Sequence, residues 1–454
     1  MKQWSRRGFL SAGIATGASL AMKPSGASAA VIPPPVPQAG PSEPSPPNWF
    51  IPAADLPVLH LDPAASAAAG RIVTRGMARD ELPWGAVILV PGGATIPARW
   101  WGIRVRPHTG LNDGARIVLR SADPAKPAHL AAPGAEGVLE LQNRSARRVL
   151  FEVEDLMLSA GPGGDAIRID RASAVNLRNL TINGGKNGIF ASHHPTDILI
   201  DRCEIRHGGR GDGYSHNIYI GYVRQVRIQG SRIHAPAAPG HCFKCYAQSL
   251  DARGNTFAHY LETQDLASGH FGGLPLVDRG AWGETVMADN LFIRRGPVRQ
   301  AVIDLRNRSF PVGFRPHVQP GWGTETVSPA AVDNRDPHNP YLFRHLFLRN
   351  TLANGILPSG ALDPHIVRRP GIFLRNNGSA PWYAKAGGKL ANGQPPPGWQ
   401  PWQERTVAYL WENRLEGIPP ETLAQRWAYR RRDIPTPVRE WRRLPAWARV
   451  RAAL

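Results

Sequence analysis

Two histidines, a tyrosine and a lysine recur at a constant interval in the stretch SHNIYIGYVRQVRIQGSRIHAPAAPGHCFKCYA, residues 215–247. His216 and His241 are 25 residues apart, and so are Tyr219 and Lys244 (241 − 216 = 244 − 219 = 25). All four side chains can transfer protons. A lysine becomes a general base where burial and nearby cations lower its pKa, a tyrosine can protonate a leaving group, and a histidine can do either. The shared interval predicts that a repeating element places these side chains side by side.

A repeat of apolar-x-apolar triplets extends on both sides of this stretch. The triplets centre on equivalent apolar residues at intervals of 24, 23, 28 and 24, namely Leu158, Ile182, Ile205, Ile233 and Phe257. Two further short strands precede most triplets, and three short strands per repeat are typical of one coil of a parallel β-solenoid. Helical repeats need 3.6-residue periodicity, and propeller blades need about 40 residues. The pattern therefore predicts an all-β solenoid over residues 59–375, with Leu158 and its equivalents stacked in one internal column.

Stacked coils bring equivalent positions together at a strand spacing of about 4.8 Å. Alternation is expected to turn Ile218 and Ile220 inward and Asn217 and Tyr219 outward, with His216 at the turn. Matching by 25 residues then places Lys244 beside Tyr219 and His241 beside His216. On the following coil, Glu262 is the nearest charged candidate for the same column. Outward residues on one solenoid face form a long groove, which suits a chain-like substrate.

These strands resemble an exported bacterial branch of the pectate-lyase-like right-handed parallel β-helix proteins, and the resemblance covers roughly residues 70–355. It is carried by His216-Asn217-Ile218-Tyr219, His241-Cys242-Phe243-Lys244, and Glu262-Thr263-Gln264-Asp265 followed by Gly272-Gly273. In that branch Ser-Arg-Ala usually follows the lysine, whereas this chain has Cys245-Tyr246-Ala247. The resemblance implies a right-handed parallel β-helix and a choice among the superfamily's reactions.

The first of these reactions is β-elimination. It needs a base that takes the proton α to a uronate carboxylate and a cation that stabilises the resulting enolate. Lys244 is the candidate base, and His216, His241, Tyr219 and Glu262 complete the candidate catalytic set. The candidate substrate-binding residues are Asn217, Arg210, Asp265 and His270. Within HGGRGDGYSHN, Arg210 can clamp a carboxylate and Asp212 can orient a histidine.

Three alternatives stay open beside the lyase. A glycoside hydrolase needs two nearby carboxylates, but Glu262 and Asp265 are three residues apart and fall on opposite faces of an ideal strand. A C5-epimerase is indicated only by DPHNP at 336–340. A non-catalytic β-helix that binds exopolysaccharide or the cell envelope is the third alternative. Calcium is not expected, since Asp212, Glu262 and Asp265 are scattered, and no cofactor is predicted.

The N-terminal residues indicate export. SRRGFL at 5–10 has the paired arginines of a twin-arginine signal, and an apolar stretch and the small-residue site at 27–29 follow it. We expect a signal peptide over 1–29 and a proline-rich linker over 30–58. No other window approaches the ~20 apolar residues that cross a bilayer. The predicted location is periplasmic or extracellular.

The C-terminal segment 376–454 is predicted to be a basic, Trp- and Arg-rich extension that caps the solenoid. PPETLAQRWAYRRRD within it is expected to form a short helix beginning after Pro420. The three cysteines, Cys203, Cys242 and Cys245, are too few for a disulfide framework or a zinc site. We expect them mainly in or near the core, with room for one disulfide.

Charge points to an anionic partner. The formal net charge is +19, and removal of the signal with its four basic residues leaves +15 (19 − 4 = 15). A field of that sign concentrates polyanions at the surface. Nucleic acid is a poor partner for an exported protein, so an acidic polysaccharide is the expected partner of a monomeric chain.

Overall fold

The computed structural model describes residues 50–69, 71–75 and most of 82–259, with short gaps at 100, 107–109, 133, 135, 193, 195, 211–214, 222, 237–239 and 248. Beyond 259 it describes 277–280, 284–294, 303–307, 344–348, 351–354, 372–376, 407–411, 414–415, 428–430 and 438–440. The predicted signal peptide, most of the predicted linker and the DPHNP stretch lie outside these residues.

Three sheets contain the described strands, which are numbered here in chain order. Sheet A contains β1 (Val58–Leu61), β2 (Thr74–Arg75), β3 (Gly85–Val90), β6 (Ala115–Ser121), β9 (Val149–Glu154), β12 (Ala174–Arg178), β15 (Asp197–Asp201), β18 (Gln225–Gln229), β21 (Ser249–Arg253), β24 (Glu284–Ala288), β27 (Arg344–Leu348), β30 (Val407–Trp411) and β33 (Val438–Glu440). Sheet B contains β4 (Thr95–Pro97), β7 (Ala128–Ala132), β10 (Leu156–Ala160), β13 (Thr181–Gly184), β16 (Glu204–Arg206), β19 (Arg232–His234), β22 (Thr256–His259), β25 (Leu291–Arg294), β28 (Thr351–Asn354) and β31 (Arg414–Leu415). Sheet C contains β5 (Trp101–Val105), β8 (Leu139–Asn143), β11 (Ile167–Asp170), β14 (Ile189–Ala191), β17 (Ile218–Ile220), β20 (Phe243–Cys245), β23 (Val277–Gly280), β26 (Ile303–Asn307), β29 (Ile372–Asn376) and β32 (Ala428–Arg430).

From β3 onward the chain visits sheets A, B and C in turn, so every third strand joins the same sheet, parallel to its predecessor. This is a right-handed parallel β-helix, as the repeat predicted. At its start β1 pairs in parallel with β3 and antiparallel with β2. A short 3-10 helix (Ala53–Asp55) precedes β1, and the helix α1 (Pro63–Ala69) follows it.

The internal column predicted from the interval is confirmed. Consecutive members are register partners in sheet B, and all are fully buried: Leu158, Ile182, Ile205, Ile233 and Phe257. The column continues upward into Phe292, whose ring stacks on Phe257 with centroids 5.2 Å apart. Apolar residues at every second strand position thus fill the interior of the coil, because each coil buries its inward face only against its neighbours.

The corner between sheets A and B is short in every coil from β9 to β25. One or two residues join the strands, and the first of them has a positive φ of 50–60° in each case: Asp155, Asn179, Arg202, Gly230, Gly254 and Asp289. Asp, Asn and Gly tolerate this left-handed conformation best, whereas Arg202 adopts it without that advantage. The second residue of the corner forms a buried polar ladder in which Ser231 accepts from Cys203 N–H and Asn255 accepts from Ser231 N–H. The ladder fixes the stacking of the coils at this corner.

The corner between sheets B and C varies instead. From β9 to β25 it ranges from four residues (185–188) to seventeen (260–276). Loops of different length at one corner do not disturb a register that is set by the strands and by the A–B corner. The outer face of sheet C therefore adjoins all the variable loops.

Both ends of the solenoid differ from the sequence prediction. Phe50, in the predicted linker, is buried against Leu150 and Ala174 on the outer face of sheet A, since that face is apolar there. The strands β30, β31 and β32 continue sheets A, B and C beyond residue 375, into the predicted extension. Residues 428–430, expected in a helix after Pro420, form a strand because they pair with β29. No helix among the described residues is long and apolar enough to cross a membrane.

The three cysteines are buried thiols, so the disulfide for which the sequence left room does not form. Cys203 lies at the A–B corner and Cys245 on the inward face of β20. Burial raises the pKa of the Cys203 thiol to about 12. A thiol with such a pKa is a very weak nucleophile near neutral pH, because the thiolate is the reactive form.

We expect an aromatic disulfide reagent to leave the native protein unlabelled at pH 8 and to label all three cysteines after denaturation. The absorbance of the released thiolate measures both states in one experiment. Rapid labelling of any cysteine in the native protein would contradict the burial described here.

Candidate functional site

The outer face of sheet C carries a continuous column of large side chains. Register pairs Arg168 with Phe190, Phe190 with Tyr219 and Tyr219 with Lys244, each on the strand of the next coil. The predicted neighbourhood of Tyr219 and Lys244 is thereby confirmed. The strand positions on either side of Tyr219 and Lys244 point into the core and are fully buried.

Lys244 is almost covered by two aromatic rings. Its Nζ atom lies 5.1 Å from the ring centroid of Tyr219 and 5.7 Å from that of Tyr246. The residue is only 8 % exposed, whereas Tyr219 is half-buried. An ammonium group at these distances is attracted by the ring faces, with about 0.5–2 kcal/mol per contact. The two rings therefore leave little of Lys244 exposed.

His216 and His241 lie at the B–C corner, in a ladder that begins on the preceding coils. The Asn187 amide donates to Asp165 Oδ1 (2.8 Å), and His216 N–H donates to Asn187 Oδ1 (2.9 Å). His241 N–H then donates to His216 Nδ1 (3.0 Å). Because Nδ1 of His216 accepts this bond, the neutral ring carries its proton on Nε2. Burial raises the pKa of Asp165, against the hydrogen bond from Asn187.

The two imidazoles form the inner wall of the site. The ring of His216 lies 4.7 Å from that of His241 and 5.7 Å from that of Tyr219, centroid to centroid. His216 is fully buried and His241 is 2 % exposed. The sequence interval brought both histidines to the cluster. The ring of His216 lies behind Tyr219, and neither histidine forms the outer surface of the cluster.

Asn217, expected to face outward as a substrate contact, is fully buried. Its Oδ1 accepts from Gly208 N–H (2.7 Å), and its Nδ2 donates to the His234 carbonyl (2.7 Å). The segment around Gly208, from the loop between β16 and β17, covers it. Asn217 therefore links this loop to sheet B. The prediction that it faces outward beside Tyr219 is wrong.

The remaining predicted residues are not part of the described cluster. Arg210 is exposed in the loop that follows β16. Asp212, Glu262, Asp265 and His270 lie outside the described residues. The expectation that Glu262 occupies the column after Lys244 is wrong, because β23 pairs with β20 and Asp278 takes that register position. A long insertion follows β22, so the next sheet C strand comes later in the chain than the repeat predicted.

Several members of the site were missed in the sequence. Tyr246, which stands where the resembling branch has an arginine, packs edge-on against Tyr219 with centroids 6.1 Å apart. Arg168 and Phe190 were detectable by aligning DAIRI, NGIFA, HNIYI and HCFKC, in which the same strand position holds Arg, Phe, Tyr and Lys. Asn187 was detectable in the same alignment, in which the first position holds Asp165, Asn187, His216 and His241. Among the residues that the structure describes, no group of three or more His, Cys, Asp or Glu side chains is arranged to hold a metal ion.

Neither a protein-family model nor a curated protein sequence matches this chain. Among solved structures, the chain is similar to the alginate lyase from Paenibacillus sp. str. FPU-7, with a TM-score of 0.45. The identity is 12 %, and the similarity covers 80 % of this chain and 96 % of that chain. Similarity at this level does not transfer an activity, so function must come from the side chains of sheet C.

Proposed function

We propose that this protein is an exported polysaccharide lyase that cleaves an anionic, uronate-containing polysaccharide by β-elimination. The observation that carries the proposal is the contact of Lys244 with Tyr219 on the outer face of sheet C, with His216 and His241 behind them. Titratable groups that cluster on a groove-shaped surface are typical of catalytic sites. A surface that only binds sugar has no need to gather a lysine, two tyrosines and two histidines.

The reaction assigns one proton transfer to each of the two outward groups. The amine of Lys244 takes the proton from the carbon α to the uronate carboxylate, and the electron pair of that bond forms the new carbon–carbon double bond. The glycosidic carbon–oxygen bond at the β carbon breaks, and the Tyr219 hydroxyl protonates the departing oxygen. For the carboxylate we propose Arg210 from the loop that follows β16, which is exposed and whose guanidinium can bind two oxygens at once. Solvent then returns the proton to Tyr219 and removes the one on Lys244.

The carboxylates on the coils before Tyr219 and Lys244 favour elimination over hydrolysis. A glycoside hydrolase needs two carboxyl groups that are available to the substrate. Glu140 is bound by the Arg104 guanidinium (2.7 Å), and Asp165 by the Asn187 amide (2.8 Å). Asp170 accepts from Gln142 (2.7 Å) and Ser192 (2.9 Å). These three carboxylates are committed to the coil, whereas Tyr219 and Lys244 lie where a chain can be bound.

A β-helix that binds exopolysaccharide without cleaving it is the second candidate. The burial of His216 and His241 favours it, because buried imidazoles can stabilise a coil without taking part in a reaction. Both candidates share an anionic partner, and for both we propose a monomer in the periplasm or outside the cell. The charge of +15 after signal removal (19 − 4) supports that partner.

The deciding experiment incubates the mature protein with a panel of acidic polysaccharides and a neutral glucan, and follows the ultraviolet absorbance of unsaturated uronate ends. We expect absorbance to grow with at least one acidic polymer and not with the glucan. Binding should weaken steeply as salt rises, since screening shortens the reach of surface charges to about 8 Å at 0.15 M. Tight binding to an acidic polymer without new absorbance or reducing ends would establish the non-catalytic candidate instead.

A further inference from the structure

Within the sheet C column, the segment from Arg168 to Lys244 has a cation at each end and aromatic rings between them; in register, Glu140 precedes it and Asp278 follows it. The Arg168 guanidinium lies 5.2 Å from the ring centroid of Phe190, and the Lys244 ammonium lies over Tyr219. The two rings stack in parallel, with centroids 5.5 Å apart and an angle of 7°. Stacking along the coil axis holds both cations at fixed positions on one face, because each is attracted to the ring beside it.

Arg168 is available to a ligand. Its side chain is 42 % exposed, and its ion pair with Asp165 is long, 3.8 Å between Nη1 and Oδ2. Asp165 is held more closely by the Asn187 amide at 2.8 Å. A guanidinium in this state can donate two parallel hydrogen bonds to the carboxylate of a ligand. Such a pair is stronger than the long contact with Asp165 that it would replace.

Arg104 and Asp170, two other charged residues near this end of the face, are already paired. Arg104 is bound to Glu140, one coil before Arg168. The carboxylate of Asp170, two residues beyond Arg168 on the same strand, is held by Gln142 and Ser192. Arg168 is exposed and, in contrast to Arg104, only loosely paired.

We propose that Arg168 is a second anion-binding position of the groove, which binds the carboxylate of a uronate residue remote from the cleaved bond. Lys244 marks the site of cleavage only if the proposed function holds, so the assignment of Arg168 as a remote position rests on it. Three strand steps separate the two cations, or about 14 Å at a spacing of about 4.8 Å. A span of that length exceeds a single sugar, so the matching substrate is a polymer with several acidic sugars in series. An isolated uronate in a neutral chain would leave one cation without a partner.

The test measures the affinity of the protein for purified oligouronates of increasing length by calorimetry. Wild type should bind longer oligomers more tightly than the disaccharide. Arg168→Gln should lose about tenfold in affinity for the longer oligomers and nothing for the disaccharide, because a charged hydrogen bond on a partly exposed surface is modest in strength. Arg168→Lys should retain part of the gain, since it keeps the charge and loses the fork.

Arg202→Gln is the matched control. Arg202 is also exposed, at 53 % of its side chain, and pairs with Asp201, but it lies at the A–B corner, away from the outer face of sheet C. The Arg202→Gln variant should bind every oligomer with the affinity of the wild type. The thermal unfolding of each variant shows whether its fold is intact. Equal losses in Arg168→Gln and Arg202→Gln would reduce the effect to net charge and overturn the proposal. An unchanged Arg168→Gln, or a wild type that binds no oligouronate, would overturn it too. Selective loss in Arg168→Gln without any unsaturated product would uphold this binding position and refute the lyase.

Discussion

Replacing Lys244 by methionine should lower the turnover of an acidic polysaccharide by at least about a hundredfold, the range that general acid–base catalysis contributes. Methionine keeps a long flexible stem against Tyr219 and Tyr246, where the lysine is only 8 % exposed, so the fold should keep its thermal stability. The initial rate of ultraviolet absorbance and a thermal melt measure the two effects on the same sample.

Two further substitutions at this position separate its roles. Lys244→Ala should lose turnover and also some stability, because it removes the stem that packs on both rings. Lys244→Arg should be as inactive as Lys244→Met, since a guanidinium stays protonated and cannot take a proton. Substantial turnover by Lys244→Arg would instead make residue 244 a fixed positive charge and move the base elsewhere. Wild-type turnover by Lys244→Met would remove this residue from the mechanism.

A pair of substitutions at His216 should separate its role in the coil from its role in the site. The preceding coil already has an asparagine at this ladder position, and Asn187 Oδ1 accepts the next backbone N–H as His216 Nδ1 does. His216→Asn therefore keeps an acceptor for His241 N–H and should unfold near the wild-type temperature. His216→Ala leaves that buried N–H without its acceptor and should cost about 1–3 kcal/mol of unfolding free energy.

Turnover should fall in both His216 variants, because both remove the ring that packs against Tyr219 and His241. Misplacing a reacting group by about 1 Å can cost about a hundredfold in rate. The pH dependence of the remaining activity should shift as well, which a loss of stability alone would not cause. Full turnover by His216→Asn would mean that the histidine serves only the fold. If both substitutions lowered the free energy of unfolding equally, the hydrogen bond from His241 N–H would not be the reason that His216 stabilises the fold.

The sequence was sufficient to predict the coils and much of the site, for a physical reason. In a parallel solenoid, residues that are one repeat apart in the sequence become register partners and therefore lie side by side. The interval between Tyr219 and Lys244 therefore specified a neighbourhood in space, and so did the interval that joins Leu158 to Ile182.

Two features were not accessible to the same reasoning. The coil after Lys244 is longer because of the insertion that follows β22, so its partner lies at 278 (278 − 244 = 34), and no periodicity predicts the length of an insertion. The burial of Asn217 depends on a loop from another part of the coil, whose Gly208 N–H reaches it. Alternation along a strand determines which way a side chain points. It does not determine what covers that side chain.

The fixed corner between sheets A and B has a consequence for how such a protein can diverge. The joining segment there is one or two residues in each coil from β9 to β25. Over the same coils, the corner between sheets B and C contains between four and seventeen residues. The A–B corner sets the spacing of the coils, whereas the B–C corner can gain or lose residues without changing that spacing. Insertions and deletions at the B–C corner can therefore change the surface beside the sheet C column, coil by coil, while Tyr219 and Lys244 keep their register. The surroundings of the sheet C column can then diverge while the scaffold stays the same.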